Sequence, residues 1–89
     1  MSEQTDQEDK EAKFQELFER ARKGVLKYVD EKGGSLPMDE MHEYSLNTYF
    51  IQHQRFSKMM ETFVGEELID YDSAKQISVI TEKGKEFIK

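Results

Sequence analysis

From about Lys10 onward, apolar residues recur at intervals of three and four: Phe14, Leu17, Phe18, Ala21, Val25, Tyr28 and Val29. That spacing places them on one stripe of an amphipathic helix. Glu, Lys and Arg fill the other faces, with Glu16–Arg20 and Glu19–Lys23 at pairing distance. Gly33-Gly34 ends the helix, because glycine accepts the left-handed conformation of a helix C-terminus. Gly24 lies inside the stripe at a cost of about 1 kcal/mol against alanine. It reads as a kink or as the boundary between two helices.

A second helix is expected from "SLPMDEM", with Pro37 in its first turn and Asp39 and Glu40 at the positive end of its dipole. Met38, Met41 and Tyr44 or Ser45 would face inward. "SLNT" reads as a turn, with Asn47 or Thr48 capping the next helix. That third helix has the clearest pattern: in "YFIQHQRFSKMMETFVGEEL", Phe56, Met59, Met60, Phe63 and Val64 share one side. Gln54, Arg55, Ser57, Lys58 and Glu61 occupy the other, and Gly65 signals the end. "LIDYD", "SAK" and "QISVIT" then read as strand, turn and strand. "TEKGKEFIK" predicts a short last helix capped by Thr81, returning Phe87 and Ile88 to the core.

The order is helix, helix, helix, hairpin, short helix, which makes the chain α+β and mainly helical. At 89 residues it holds one domain: 1–9 as a flexible acidic lead and 10–89 as the folded unit. No cysteine is present, so disulfides and thiolate metal sites are excluded. No apolar run approaches the roughly 20 residues of a membrane span, and "MSEQTDQEDKEAK" reads as neither signal nor transit peptide. The expectation is a soluble cytoplasmic protein.

Charge sharpens the picture through its placement. The formal net charge of −6 argues against a polyanionic partner. Residues 1–11, however, hold five of the acids against Lys10 alone, and from Tyr44 to Met60 there is no acid at all. Arg55, Lys58 and His53 lie in that acid-free window.

Three helices closed by a two-stranded ribbon is the plan of a winged helix-turn-helix. "QRFSKMMETFVGEELIDYDSAKQISVITEKGKEFIK" resembles the second half of the small winged-helix transcriptional regulators of archaea and their viruses and plasmids. The residues carrying the likeness are Arg55, Phe56, Lys58 and Glu61 on the helix, Leu68, Ile69, Tyr71 and Asp72 before the wing, and Thr81 to Phe87 after it. With "RKGVLKYVDEKGG" as a first helix, the resemblance covers about residues 20–89. Two positions depart from it. Glu67 stands directly before "LI" where such regulators place glycine, so the end of the recognition helix is expected to differ. The wing "DSAKQ" carries one base, Lys75, beside Asp70 and Asp72.

The resemblance implies double-stranded DNA as partner, read by the N-terminal half of the third helix in the major groove. Gln52, His53, Gln54, Arg55, Ser57 and Lys58 supply suitable chemistry: arginine pairs with guanine, glutamine with adenine, and Ser and Lys hold phosphates. Lys75 could reach a phosphate from the wing, or simply keep a small edge soluble. The stripe Phe14, Leu17, Phe18, Ala21 begins before the likeness does, so residues 10–22 are expected to form a homodimer contact. The other reading has Phe14 and Phe18 fold back on their own domain.

Other chemistry is sparse. His42 and His53 have no ligand company at metal-site spacing. Asp39, Glu40 and Glu43, like Glu66 and Glu67, sit at helix ends as solvated charges, and no phosphate loop, nucleophile elbow or triad is present. The five methionines read as core filler. The expectation is no catalysis, no cofactor, no metal and no small-molecule ligand. The rival to DNA binding is a winged helix used as a protein-interaction or assembly module.

Overall fold

A computed structural model describes the backbone of residues 2–89 and the side chains from Lys13 onward. The elements run α1 (Ser2–Glu31), β1 (Ser35–Pro37), α2 (Met38–Tyr49), α3 (His53–Gly65), β2 (Ile69–Asp72), β3 (Ile77–Ile80) and α4 (Glu82–Phe87). The side chains of the acidic lead 1–9 lie outside the described residues; the helical backbone is drawn from Ser2.

α1 is continuous through Gly24. The glycine is there for space, since a Cβ would collide with the ring and hydroxyl of Tyr49, which crosses from α2. Tyr44 stacks on Tyr28 at 3.9 Å between ring centroids and meets Tyr49 edge-on. Burial, with the adjacent Tyr49, raises the Tyr44 pKa above the ordinary phenol value. α1 ends as its glycines foretell. The Gly34 amide donates to the Val29 carbonyl (3.0 Å) and the Gly33 amide to that of Asp30 (3.2 Å), with both glycines at positive φ. This is the paired-bond closure of a helix with left-handed residues at its end.

Gly34 leads into an element the sequence reading assigned to the start of α2. Ser35–Pro37 is a strand, antiparallel to β3 with Leu36 opposite Ser78, and the sheet is three-stranded in the order β1-β3-β2. Three residues carry no legible period. The strand exists because β3 has a second edge to satisfy and Leu36 fills the core at 3% exposure. Pro37, lacking an N–H, sits at the end of this edge strand and also at the N-cap of α2.

The turn after α2 also differs from expectation. The helix runs on through Ser45, Asn47 and Thr48 to Tyr49. The Ser45 hydroxyl is satisfied by donating to the His42 carbonyl (2.9 Å), so it does not compete with the helix. Phe50 then takes the left-handed conformation (φ 58°, ψ 32°), Ile51 enters the core, and Gln52 is the N-cap of α3. Neither Asn47 nor Thr48 caps it.

α3 buries Phe56, Met59, Met60 and Phe63 as its stripe predicts, whereas Val64 is 48% exposed. Its C-terminus keeps the standard closure without a glycine. Glu67 itself adopts φ 61°, its amide donating to Val64 (3.1 Å) and that of Leu68 to Phe63 (2.8 Å). Glu67 therefore bears the left-handed strain that a glycine would not, while the helix still closes with paired main-chain bonds. The wing follows: β2, a turn in which Asp72 Oδ1 accepts from the amides of Ala74 and Lys75, then β3.

"TEKG" closes the fold. The Thr81 hydroxyl accepts from the Gly84 amide (3.0 Å) and donates to the Glu67 carbonyl (2.6 Å), capping α4 and pinning it to the end of α3. Gly84 is buried, and a Cβ there would meet the Leu68 carbonyl and lie 2.7 Å from the Ile80 side chain. A helix-turn-helix formed by α2 and α3 and followed by a hairpin wing makes this a winged helix.

Arg22 has no counterpart in the sequence reading. It is 5% exposed on α1, with its guanidinium over the rings of Phe63 (5.7 Å) and Phe87 (5.2 Å). It donates to both carboxylate oxygens of Glu19 (2.9 and 3.0 Å) and to Glu66 at 2.7 Å. Glu19 thus pairs with Arg22 rather than with Lys23. Burial acts to lower the Arg22 pKa, but the bonds to Glu66 and Glu19 outweigh it and the pKa is raised.

The two turn-closing positions have opposite mutational signatures. Glu67→Gly relieves the left-handed strain and is expected to stabilise by about 1 kcal/mol, since its exposed pair with Lys83 contributes little. Gly84→Ala forces overpacking and is expected to cost about 2 kcal/mol. Thermal denaturation of the two variants checks both signs.

Candidate nucleic-acid interface

The N-terminal half of α3 and the turn before it form an exposed ridge. Gln52, His53, Gln54, Arg55, Ser57 and Lys58 are all exposed, as is Lys75 at the wing tip. Helical spacing sets Gln54 beside Ser57 and Lys58, and Arg55 beside Lys58. Among the described residues, none of the ion pairs involves Arg55, Lys58 or Lys75. Lys58 and Lys75 thus have no carboxylate partner among the described residues, and Arg55 meets an aromatic ring instead.

The helix terminus adds to that charge. α2 carries Asp39 and Glu40 in its first turn, and α4 carries Glu82 together with the Thr81 cap. α3 has no acid in its first turn and no side-chain hydrogen bond from its N-cap Gln52. Its first backbone N–H groups and the positive end of its dipole are thus open to an anion.

α1 shapes this face. The Arg55 guanidinium lies 3.9 Å from the centroid of the Phe14 ring, close enough for a cation–π contact. Phe14 is half-buried and 5.8 Å from the Phe18 ring, and Phe18 packs against the core. Ala21 is fully buried within the domain, whereas Leu17 is 40% exposed. Of the four residues expected at a homodimer contact, Leu17 and the outer parts of Phe14 and Phe18 are thus accessible to a second chain.

No family model, curated protein or solved structure matches the chain. The winged helix is read from topology. Among the described residues, no helix is long and apolar enough to cross a membrane.

The wing is a small contributor. Lys75 stands next to a turn held by Asp72, with Asp70 on the same strand. Its other edge is occupied, since β1 pairs along β3 and the Met38 amide donates to Gln76 (2.9 Å).

A groove of about 590 Å³ runs between the first turn of α2, one side of α3 and β2. Met38, Phe56, Met60, Val64 and Tyr71 give it an apolar floor, with His53 and Ser57 from the exposed ridge on its rim. Val64 lines this groove, which accounts for its exposure. His42 and His53 meet edge-on across it, 5.5 Å between ring centroids, and His42 Nε2 is buried without a hydrogen-bond partner. Among the described residues no three His, Cys, Asp or Glu side chains converge as a metal site. Sequence spacing could not reveal the groove, because its walls come from three elements.

If Phe14 holds Arg55 in place, the two side chains are energetically coupled. A double-mutant cycle of Phe14→Ala and Arg55→Ala is expected to show a coupling of about 0.5–1 kcal/mol in unfolding free energy. Strict additivity would mean the contact carries no energy.

Proposed function

We propose that this winged helix is a sequence-specific double-stranded DNA-binding protein, a transcriptional regulator acting as a homodimer through α3 in the major groove. The observation that carries the reading is the start of α3. It is uncapped by side chains and free of acid in its first turn, and it presents Arg55 and Lys58, in no ion pair among the described residues, beside Gln52, Gln54 and Ser57. In a chain of net charge −6, that start falls in the acid-free stretch of sequence from Tyr44 to Met60, with Asp39 and Glu61 the acids that share the groove beside it. The likeness of α3, wing and α4 to small archaeal winged-helix regulators supports the same reading. So does the helix-turn-helix geometry, which directs the N-terminus of the second helix at base edges.

Arg55 and Gln54 act as base readers, Lys58 and Ser57 as phosphate holders, and the open amides of α3 add a further phosphate contact. Lys75 is assigned an outer phosphate. The homodimer uses the outer face of α1 around Leu17, which sets two copies of α3 on half-sites one turn apart, about 34 Å. A second reading, a protein-interaction module, is favoured by the wing: one lysine beside two aspartates is poor equipment for gripping a phosphate backbone.

On a bound duplex, Arg55→Ala is expected to weaken affinity roughly tenfold and relax specificity at one base pair. Lys58→Ala is expected to weaken binding on all sequences and reduce the slope of log K against log salt by about 1. Affinity titrations at several salt concentrations check both; a complex insensitive to salt contradicts the reading. For the dimer, sedimentation of the wild type and Leu17→Asp should show a dimer converted to a monomer, and a wild type that is monomeric at tens of micromolar protein, about the range where weak dimers still form, removes it.

A further inference from the structure

Three non-glycine residues adopt positive φ: Phe50 (58°), Glu67 (61°) and Gln76 (55°). Each closes a turn. Glu67 and Gln76 are polar and lose nothing by facing water. Phe50 carries two separate penalties. Its backbone lies in the left-handed region, where a bulky side chain is a genuine outlier, and its ring is 81% exposed. Glycine or asparagine at this position would relieve both.

The fold makes no use of the ring. The turn is closed by main-chain bonds, Phe50 N–H to the Leu46 carbonyl (3.0 Å) and Ile51 N–H to that of Ser45 (3.2 Å). The residue it tucks into the core is Ile51, 2% exposed. An exposed ring on a strained backbone, retained by neither turn nor core, points to something outside the chain that the ring touches.

Its surroundings select the occupant. Phe50 lies two residues before the N-cap of α3, and its exposed polar neighbours along the chain are Asn47, Thr48, Gln52, His53 and Gln54, none of them acidic. From Tyr44 to Met60 no carboxylate opposes a polyanion. Apolar surface around the ring is slight, extended by the partly exposed Leu46 (39%) one helical turn back. A lone aromatic between polar, non-acidic chain neighbours suits a groove edge better than a protein interface, whose centre is a contiguous desolvated patch. On the base edges of the major groove, the apolar group available to it is the thymine methyl.

Resting on the reading of α3 as the DNA-recognition helix, we propose that Phe50 is a specificity-determining residue that packs its ring against a thymine 5-methyl group at the edge of the α3 footprint. Base readout then has two parts: hydrogen bonds from the ridge of α3, and one apolar contact from the turn before it. The left-handed backbone is what aims the ring outward.

The test uses the full chain and a duplex recovered by selection from a random pool. Wild type, Phe50→Asn and Lys58→Ala are compared by binding titration, thermal denaturation and sedimentation, on that duplex and on copies in which each thymine in turn is replaced by uracil. Asparagine tolerates the left-handed backbone, so Phe50→Asn should melt at the same or a higher temperature. Its affinity should nevertheless fall about tenfold. Uracil at one position should weaken the wild type several-fold and leave Phe50→Asn unaffected. If Lys58→Ala weakens binding while Phe50→Asn matches the wild type, the proposal for Phe50 fails and the DNA reading stands. If Phe50→Asn shifts the sedimentation and leaves DNA affinity intact, the ring serves a protein contact and the proposal is overturned. If the wild type enriches no duplex, both fall together.

Discussion

Burial of one face of α1 is the interaction on which every other element depends. Ala21, Val25, Leu26 and Val29 have no accessible surface, and α2, α4, β1 and β3 all pack against this helix. Each fully buried Val or Leu is worth about 1.5–3 kcal/mol. In a chain of this size without disulfides, that face is the foundation of the core. The Tyr28–Tyr44–Tyr49 cluster fixes α2 to it, at the cost of a glycine where Tyr49 crosses. Arg22 fixes the end of α3 and the ring of Phe87 to it. α1 also touches both ends of α3, at Glu66 through Arg22 and at Arg55 through Phe14, while the helix itself packs on α2 and β2.

This arrangement explains how so acidic a chain can hold a cationic face. The buried cation Arg22 is more than balanced by two carboxylates, whereas among the described residues neither Arg55 nor Lys58 is in an ion pair. Acids are placed at the starts of α2 and α4, where they complement helix dipoles, and are absent at the start of α3. The net charge of the chain thus says little about the surface that α3 presents. The wing serves mainly as structure. β3 is bonded on both edges, and the hairpin anchors Ile69 and Ile80 in the core.

What could be read from the sequence was local. The α1 stripe, the buried face of α3, the wing strands and the Thr81 cap each follow from a period or a cap within a few residues of chain. What could not be read depends on distant partners. β1 is three residues recruited by the free edge of β3. Arg22 finds Glu66 forty-four positions away and also takes Glu19, which helical spacing had suggested for Lys23. The α2–α3 turn was misplaced because Ser45, Asn47 and Thr48 look like turn residues, while the residue that turns the chain is Phe50, whose type argues against it. Gly65 is the last residue of α3, as its position suggested, while the left-handed residue that turns the chain is Glu67. The ridge of candidate DNA contacts was visible as composition, in the absence of acids. Its contact with Phe14 and the groove beside it needed three dimensions.

The central claim is that the start of α3 is the surface that meets DNA. Amide chemical-shift mapping of the full chain against a random-sequence duplex at low salt tests it most directly. The account predicts shifts concentrated on residues 50–58, reversed as salt is raised, with β1 and the helical turn around Val29 unmoved. Shifts confined to Met60, Val64 and Tyr71 of the groove or to the outer face of α1, or none on any duplex, would contradict it.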